Sequence, residues 1–238
     1  MVLPPQDRQN QSRTFVAQML EKVNLYSQDC QRIQFGRKEI IYRTGENDDA
    51  VYVVVAGTIK LLIQTAREQC GLMEICVKGE VFGESCLSGH ILRPETALAM
   101  GAALVLRIPR PVFLTLLQEV ALLDGMARYM SRRIEERRCL IVAMLARKKQ
   151  HRLALVLLYL ARKFGKQNPD GTCLQIRILH EDLAEMTGMR RTRITCVLSR
   201  FRERGLIYIN RLHQIVVRED HFVEYLRRSA AGAQYCLH

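Results

Sequence analysis

The chain has 238 residues, 48% of them hydrophobic and 25% charged, enough to fill the cores of two modest domains. No run of about 18 apolar residues occurs, so a membrane span is not expected, and the opening MVLPPQDRQNQSRTF has no basic stretch followed by an apolar one, so neither is a secretory signal. The net charge of +12 is unevenly placed: residues 1–120 carry 13 Lys/Arg against 13 Asp/Glu, residues 121–149 carry 8 against 3, and residues 150–238 carry 15 against 8.

A neutral first half and a basic second half point to a polyanionic partner for the latter, nucleic acid or an anionic membrane. Residues 13–24, RTFVAQMLEKVN, space Phe15, Met19, Leu20 and Val23 along one helix face. The period then shortens. RIQFGRKEIIYRTG, AVYVVVAGTIKLLIQ, LMEICVK and ETALAMGAALVLRIP are strand-like runs, with glycine-bearing turns at TGEND, AGT and KGEVFGE. Short strands broken in this way predict a compact β-roll or barrel over about residues 30–109.

From Pro111 the period becomes helical. PVFLTLLQEV reads as a short helix and about residues 122–148 as a long one. Along the long helix Leu123, Met126, Met130, Ile134, Ile141 and Leu145 step by three, four or seven, with Arg137 inside the same stripe. So narrow a stripe flanked by strong charge favours a homodimer seam over packing on the chain's own roll. HRLALVLLYLARKFG is a further amphipathic helix closed by Gly165, KQNPDGT a turn, and CLQIRI a strand. HEDLAEMTGMRRTRITCVLSRFRERGLI then has the punctuation of two helices around a tight turn at Gly188, and LIYINRLHQIVV reads as two strands around a polar tip. The order is that of a winged helix–turn–helix. The predicted fold class is therefore α+β: a β-roll, sensor-like domain (residues 1–120), a long dimerisation helix (121–149), and a C-terminal winged helix–turn–helix DNA-binding domain (150–238).

In the second of the paired helices Ile194, Val197 and Leu198 form the buried side, and Arg191, Thr192, Thr195 and Cys196 the opposite one, with Arg193, Arg200, Arg202 and Arg204 around them. A recognition helix presents its N-terminal residues to base edges in the major groove. Arginine there can pair bidentately with guanine, while flanking arginines and threonines hold phosphates. Double-stranded DNA is the expected partner, bound through Arg190, Arg191, Thr192, Arg193, Thr195, Cys196 and Arg200. The eight cysteines are irregularly spaced with no C-x-x-C, so reduced thiols in a cytoplasmic protein are expected, without a metal or cofactor. No Walker loop, zinc motif, nucleophile elbow or paired-carboxylate pattern suggests an enzyme.

GENDDAVYVVVAGTIKL resembles the β-roll signature of the Crp/Fnr family of bacterial transcription regulators, and KGEVFGESCL followed by RPETALAM resembles that family's effector-pocket region. With the stripe helix and the terminal winged helix the resemblance covers about residues 15–225. It implies a dimeric activator or repressor acting on a two-fold symmetric promoter site, with RNA polymerase as a further partner. In cyclic-AMP-binding members a glutamate in the FGE turn holds the ribose, and an arginine followed by serine or threonine holds the cyclic phosphate. The resemblance puts Glu84 at the first position, Arg93 at the second, Thr96 close by, and Arg137 and Arg138 near the adenine-reading positions. Arg93 is followed by Pro94, which has neither hydroxyl nor N–H. Arg137 and Arg138 lack the small hydroxyl expected there, and these departures disfavour cyclic AMP. Cys30 stands alone where iron–sulfur members carry a cysteine group, and His90 is a lone loop histidine where a haem sensor would need an axial ligand.

The family's reading helix follows Arg-Glu-Thr-apolar-x-Arg. With Ile194 at the apolar position, Arg191 takes the first arginine, Thr192 the glutamate and Cys196 the second arginine, so the half-site is expected to differ from the common one. Cys196 is also a redox candidate, because a sulfinate would set negative charge beside the DNA backbone. The alternative function is a cyclic-nucleotide or other small-ligand sensor that signals through protein contacts.

Overall fold

The computed structural model describes residues 15–23, 28–47, 49–64, 70–89 and 92–229. His90 lies outside them. The chain divides into two compact units within the long helix, one ending at Arg132 and the other beginning at Arg133.

The first unit opens with helix α1 (residues 15–23). Eight strands follow: β1 (Gln31–Phe35), β2 (Ile40–Tyr42), β3 (Ala50–Ala56), β4 (Thr58–Gln64), β5 (Cys70–Val77), β6 (Val81–Phe82), β7 (Thr96–Ala99) and β8 (Ala103–Pro109). They form two antiparallel four-stranded sheets, ordered β1-β8-β3-β6 and β2-β7-β4-β5. This is the expected roll. Strand β3, AVYVVVA, is apolar at successive positions because its sheet is covered on both faces. Tyr52 and Val54 face the roll interior with Ile59, Leu61, Phe82, Ala97 and Val105. Val51 and Val53 face the other way, onto Phe15 and Met19 of α1, Phe113 of α2 (Arg110–Leu116), and Leu122 and Met126 of α3 (Val120–Leu145).

That packing corrects one sequence expectation. Met126, placed by periodicity on the dimer seam, is 6% exposed and belongs to the roll's own core. Met130 also packs partly against that core. Leu123, Ile134, Ile141 and Leu145 stay 54%, 52%, 60% and 76% exposed. The helix therefore carries two apolar faces, one used internally and one open. It also ends earlier than expected, at Leu145. The N–H of Ala146 turns to the carbonyl of Ala143, and Lys148 is extended.

In the second unit α4 (Lys149–Phe164) is the central helix; Leu153, Val156, Leu157 and Leu160 are fully buried. β9 (Gly165–Asn168) and β10 (Gly171–Leu174) make a hairpin, α5 (His180–Thr187) and α6 (Arg191–Glu203) the paired helices, and β11 (Ile207–Ile209) and β12 (Ile215–Val217) the wing. The sheet order is β11-β12-β10-β9. The segment read as a turn is partly strand, since Lys166 pairs with Cys173, and the strand read as CLQIRI stops at Leu174. A further helix, α7 (Glu219–Ser229), was not anticipated; its Phe222 and Leu226 are fully buried.

Candidate nucleic-acid interface

Helix α5 starts where the Asp182 carboxylate accepts the N–H of Leu179 at 2.8 Å. It ends at Gly188, whose φ of +63° lies in the left-handed region that favours glycine. Beside the turn, the Thr187 hydroxyl donates to the Leu183 carbonyl at 2.6 Å, and Arg152 of α4 donates to the Thr187 carbonyl at 3.0 Å. The turn is thus held by side chains as well as by backbone.

Helix α6 buries Ile194, Val197, Leu198 and Phe201, the first two at 0% and 1% exposure. A charge at Ile194 would be buried, as the sequence register required. Arg190, Arg191, Thr192, Arg193, Thr195, Cys196 and Arg200 are all exposed. The structure therefore gathers the candidate DNA residues on the outer side of one helix and its N-cap. Arg204, which the sequence grouped with them, is the C-cap of α6 and stands over the Tyr225 ring at 5.6 Å. Beneath the helix Phe201 meets Phe222 and Tyr225 edge-on at 5.1 and 5.8 Å, so α7 forms an aromatic floor under it.

One residue of this surface escaped the sequence reading. His180, at the first turn of α5, places Nδ1 3.0 Å from the Thr195 hydroxyl. The two are fifteen positions apart on different helices, a separation without a periodic signature. The wing tip is set by Asn210, whose side-chain oxygen accepts the N–H groups of Leu212 and Gln214, both at 2.9 Å.

The candidate effector residues are distributed differently. Glu84 opens a short 3₁₀ turn (Glu84–Ser88) after β6. Gly83 precedes it at φ +75°, and a Cβ there would lie 2.9 Å from the Arg93 guanidinium. Arg93 is 2% exposed. It donates to the carbonyls of Gly83 and Ala50, both at 2.6 Å, and its guanidinium lies 4.4 Å from the centre of the Tyr42 ring. The Tyr42 hydroxyl donates to Glu95 at 2.9 Å; burial first, and then the Glu95 charge, push its pKa well above the ordinary tyrosine value. Thr96 receives the Thr44 N–H at 3.0 Å and exchanges a hydroxyl contact with Thr44 at 3.1 Å. Arg137 and Arg138 belong to the second unit, where Arg138 is exposed. Among the described residues no cluster of three or more His, Cys, Asp or Glu could hold a metal, and no helix is long and apolar enough to cross a membrane.

Comparisons with known proteins agree with this geometry. The family model "Cyclic nucleotide-binding domain" matches residues 32–120, and "Crp-like helix-turn-helix domain" matches residues 151–220. The global nitrogen regulator of Synechococcus elongatus is 29% identical over 181 residues, covering 75% of this chain and 82% of that one. The cyclic AMP receptor protein of Thermus thermophilus is 27% identical over 188 residues, covering 79% and 84%. Among solved structures, FixK2 from Bradyrhizobium japonicum shares the fold with a TM-score of 0.71 at 16% identity, over 86% of this chain and 99% of that one.

Proposed function

Because this chain belongs to the Crp/Fnr family of DNA-binding transcription regulators, we propose that it binds a two-fold symmetric promoter site as a homodimer and reads each half-site through the exposed face of α6. The observation that carries the reading is that face itself: Arg190, Arg191, Thr192, Arg193, Thr195, Cys196 and Arg200 open to solvent around a helix whose other side is core. Arg191 is the base-reading arginine, and Arg190, Arg193 and Arg200 hold phosphates. The open apolar face of α3, with Leu123, Ile134, Ile141 and Leu145, supplies the dimer seam. A dimer of this kind, placed on a promoter in the cytoplasm, meets RNA polymerase as its further partner.

Cyclic AMP is not the effector. Arg93, which would have to hold the cyclic phosphate, is turned onto two backbone carbonyls and an aromatic ring, and Pro94 brings no hydroxyl. Control passes instead through Cys196, a free, exposed thiol on the reading face. Its oxidation by peroxide, first to the sulfenic acid and then to the sulfinate with one peroxide reduced to water at each step, would set a negative charge against the DNA backbone.

The test is genome-wide mapping of bound DNA with and without oxidant, followed by gel-shift titration of the recovered fragments at two salt concentrations. A palindromic motif, bound more weakly at higher salt and after peroxide in the wild type but not in Cys196→Ser, is expected. Binding of random and mapped fragments alike would overturn the regulator reading. Equal peroxide sensitivity in both proteins would remove Cys196 from it.

A further inference from the structure

A threonine on a reading helix is ambiguous. Its hydroxyl can donate to the guanine or thymine carbonyl, or accept from the adenine or cytosine amino group. The surroundings of Thr195 bear directly on that choice. Thr195 Oγ1 lies 3.2 Å from the Arg191 carbonyl one turn back, and 3.0 Å from His180 Nδ1. The Arg191 carbonyl can only accept the hydroxyl proton, whereas His180 Nδ1 donates or accepts according to its tautomer. With the ring proton on Nδ1, His180 donates to Oγ1 and the hydroxyl proton goes to the Arg191 carbonyl. One lone pair of Oγ1 is left toward whatever docks on the exposed face of α6.

We infer that Thr195 and His180 form a two-residue reading device: His180 fixes the hydroxyl as an acceptor, and Thr195 selects a base with an exocyclic amino group. The inference rests on the proposed use of the α6 face for base reading. It also names what replaces the carboxylate that the family's reading helix carries where this chain has Thr192. A cytosine- or adenine-directed acceptor is retained, one turn further along and supplied by a hydroxyl. His180 is a positioning residue here, because it acts on the base through Thr195.

The experiment is selection from a randomised half-site library with the full chain, followed by titration of every single-base variant of the selected site. The proteins compared are wild type, Thr195→Val, His180→Phe, His180→Asn and Arg191→Ala, each checked by thermal melting. At one base pair the wild type is expected to prefer adenine or cytosine over thymine or guanine by about threefold to tenfold, the worth of one net hydrogen bond. Thr195→Val and His180→Phe lose that preference at the same base pair. His180→Asn keeps it, because its carboxamide can still donate to the hydroxyl, and Arg191→Ala changes a different base pair. An unchanged selection by His180→Phe, or a guanine or thymine preference in the wild type, overturns the inference while leaving α6 as the reading helix. A wild type that selects no motif, or an Arg191→Ala protein that selects as the wild type does, overturns the use of α6 itself and this inference with it.

Discussion

The hydroxyl of Tyr129 bonds both backbone groups of Val81: it accepts the N–H at 2.8 Å and donates to the carbonyl at 3.0 Å. Tyr129 lies on α3 and is 2% exposed, and Val81 begins the strand that leads through Gly83 into the Glu84 turn. Arg132, one turn along α3, stacks over the Tyr129 ring at 5.5 Å and reaches Glu80 at 3.6 Å. The long helix is thereby fastened to the segment that leads into the candidate effector turn. Tyr129→Phe removes both hydrogen bonds without opening a large cavity, and a loss of about 1–3 kcal/mol in denaturant unfolding is expected.

The open face of α3 can be tested without touching the roll. Ile134→Glu combined with Ile141→Glu places like charges across the proposed seam, at positions 52% and 60% exposed in the single chain. Sedimentation is expected to show monomers at concentrations where the wild type is dimeric. Met126→Glu is a poor substitute, since that side chain lies in the roll core and its loss would unfold the first unit.

Substitutions of Arg191 and Arg204 separate the proposed base reading from structure. Arg191→Ala is expected to relax preference at one base pair at a cost of roughly 1–3 kcal/mol, read as the difference between specific and random DNA. Arg204→Ala is expected to lower the unfolding free energy by about 1 kcal/mol through the lost contact with Tyr225, with the selected motif unchanged.

Calorimetry with cyclic AMP is expected to show no tight binding, and added cyclic AMP to leave DNA affinity where it was. Arg93→Ala is expected to cost roughly 3 kcal/mol of stability, because it removes two charge-assisted hydrogen bonds from the roll interior. A stable Arg93→Ala protein with altered nucleotide binding would reverse that assignment.

His151 makes the second unit sensitive to acid. It is 3% exposed and edge-on to Tyr225 at 5.7 Å. Burial first, and the neighbouring Lys148 charge second, hold its pKa below the ordinary histidine value of 6.5. A depressed folded-state pKa means that the unfolded chain takes up the proton first. The contribution of His151 is therefore complete above the unfolded value and lost as pH falls through the folded one. Unfolding free energy is expected to drop on the acid side of neutrality, and less steeply in His151→Phe.

Much of this architecture was legible in the sequence because its elements repeat with the periods of the structures they form. The α6 register could be read from Ile194 alone, since only an apolar residue can sit there. Periodicity could not say which of two partners an apolar face meets. Met126 and Ile134 obey the same rule, yet the first packs on the roll and the second is open. Arg93 was identifiable as an effector candidate, but its inward turn depends on the carbonyls of Ala50 and Gly83, brought together only by the fold. His180 meets Thr195 for the same reason. The spacing of Phe222 and Leu226 carries the signal for α7, but the short apolar run that follows the wing strands is too brief to separate helix from strand by period alone.

The aromatic floor has a practical reach beyond regulation. A graft carrying only residues 151–220, the span matched by the helix–turn–helix family model, would bring α6 to a new host without Phe222, Tyr225 and Leu226. The underside of Phe201 would then face water, and the transplanted helix would lose the aromatic seat beneath it. The portable unit of this protein is longer than its motif, and it includes α7 through Ser229.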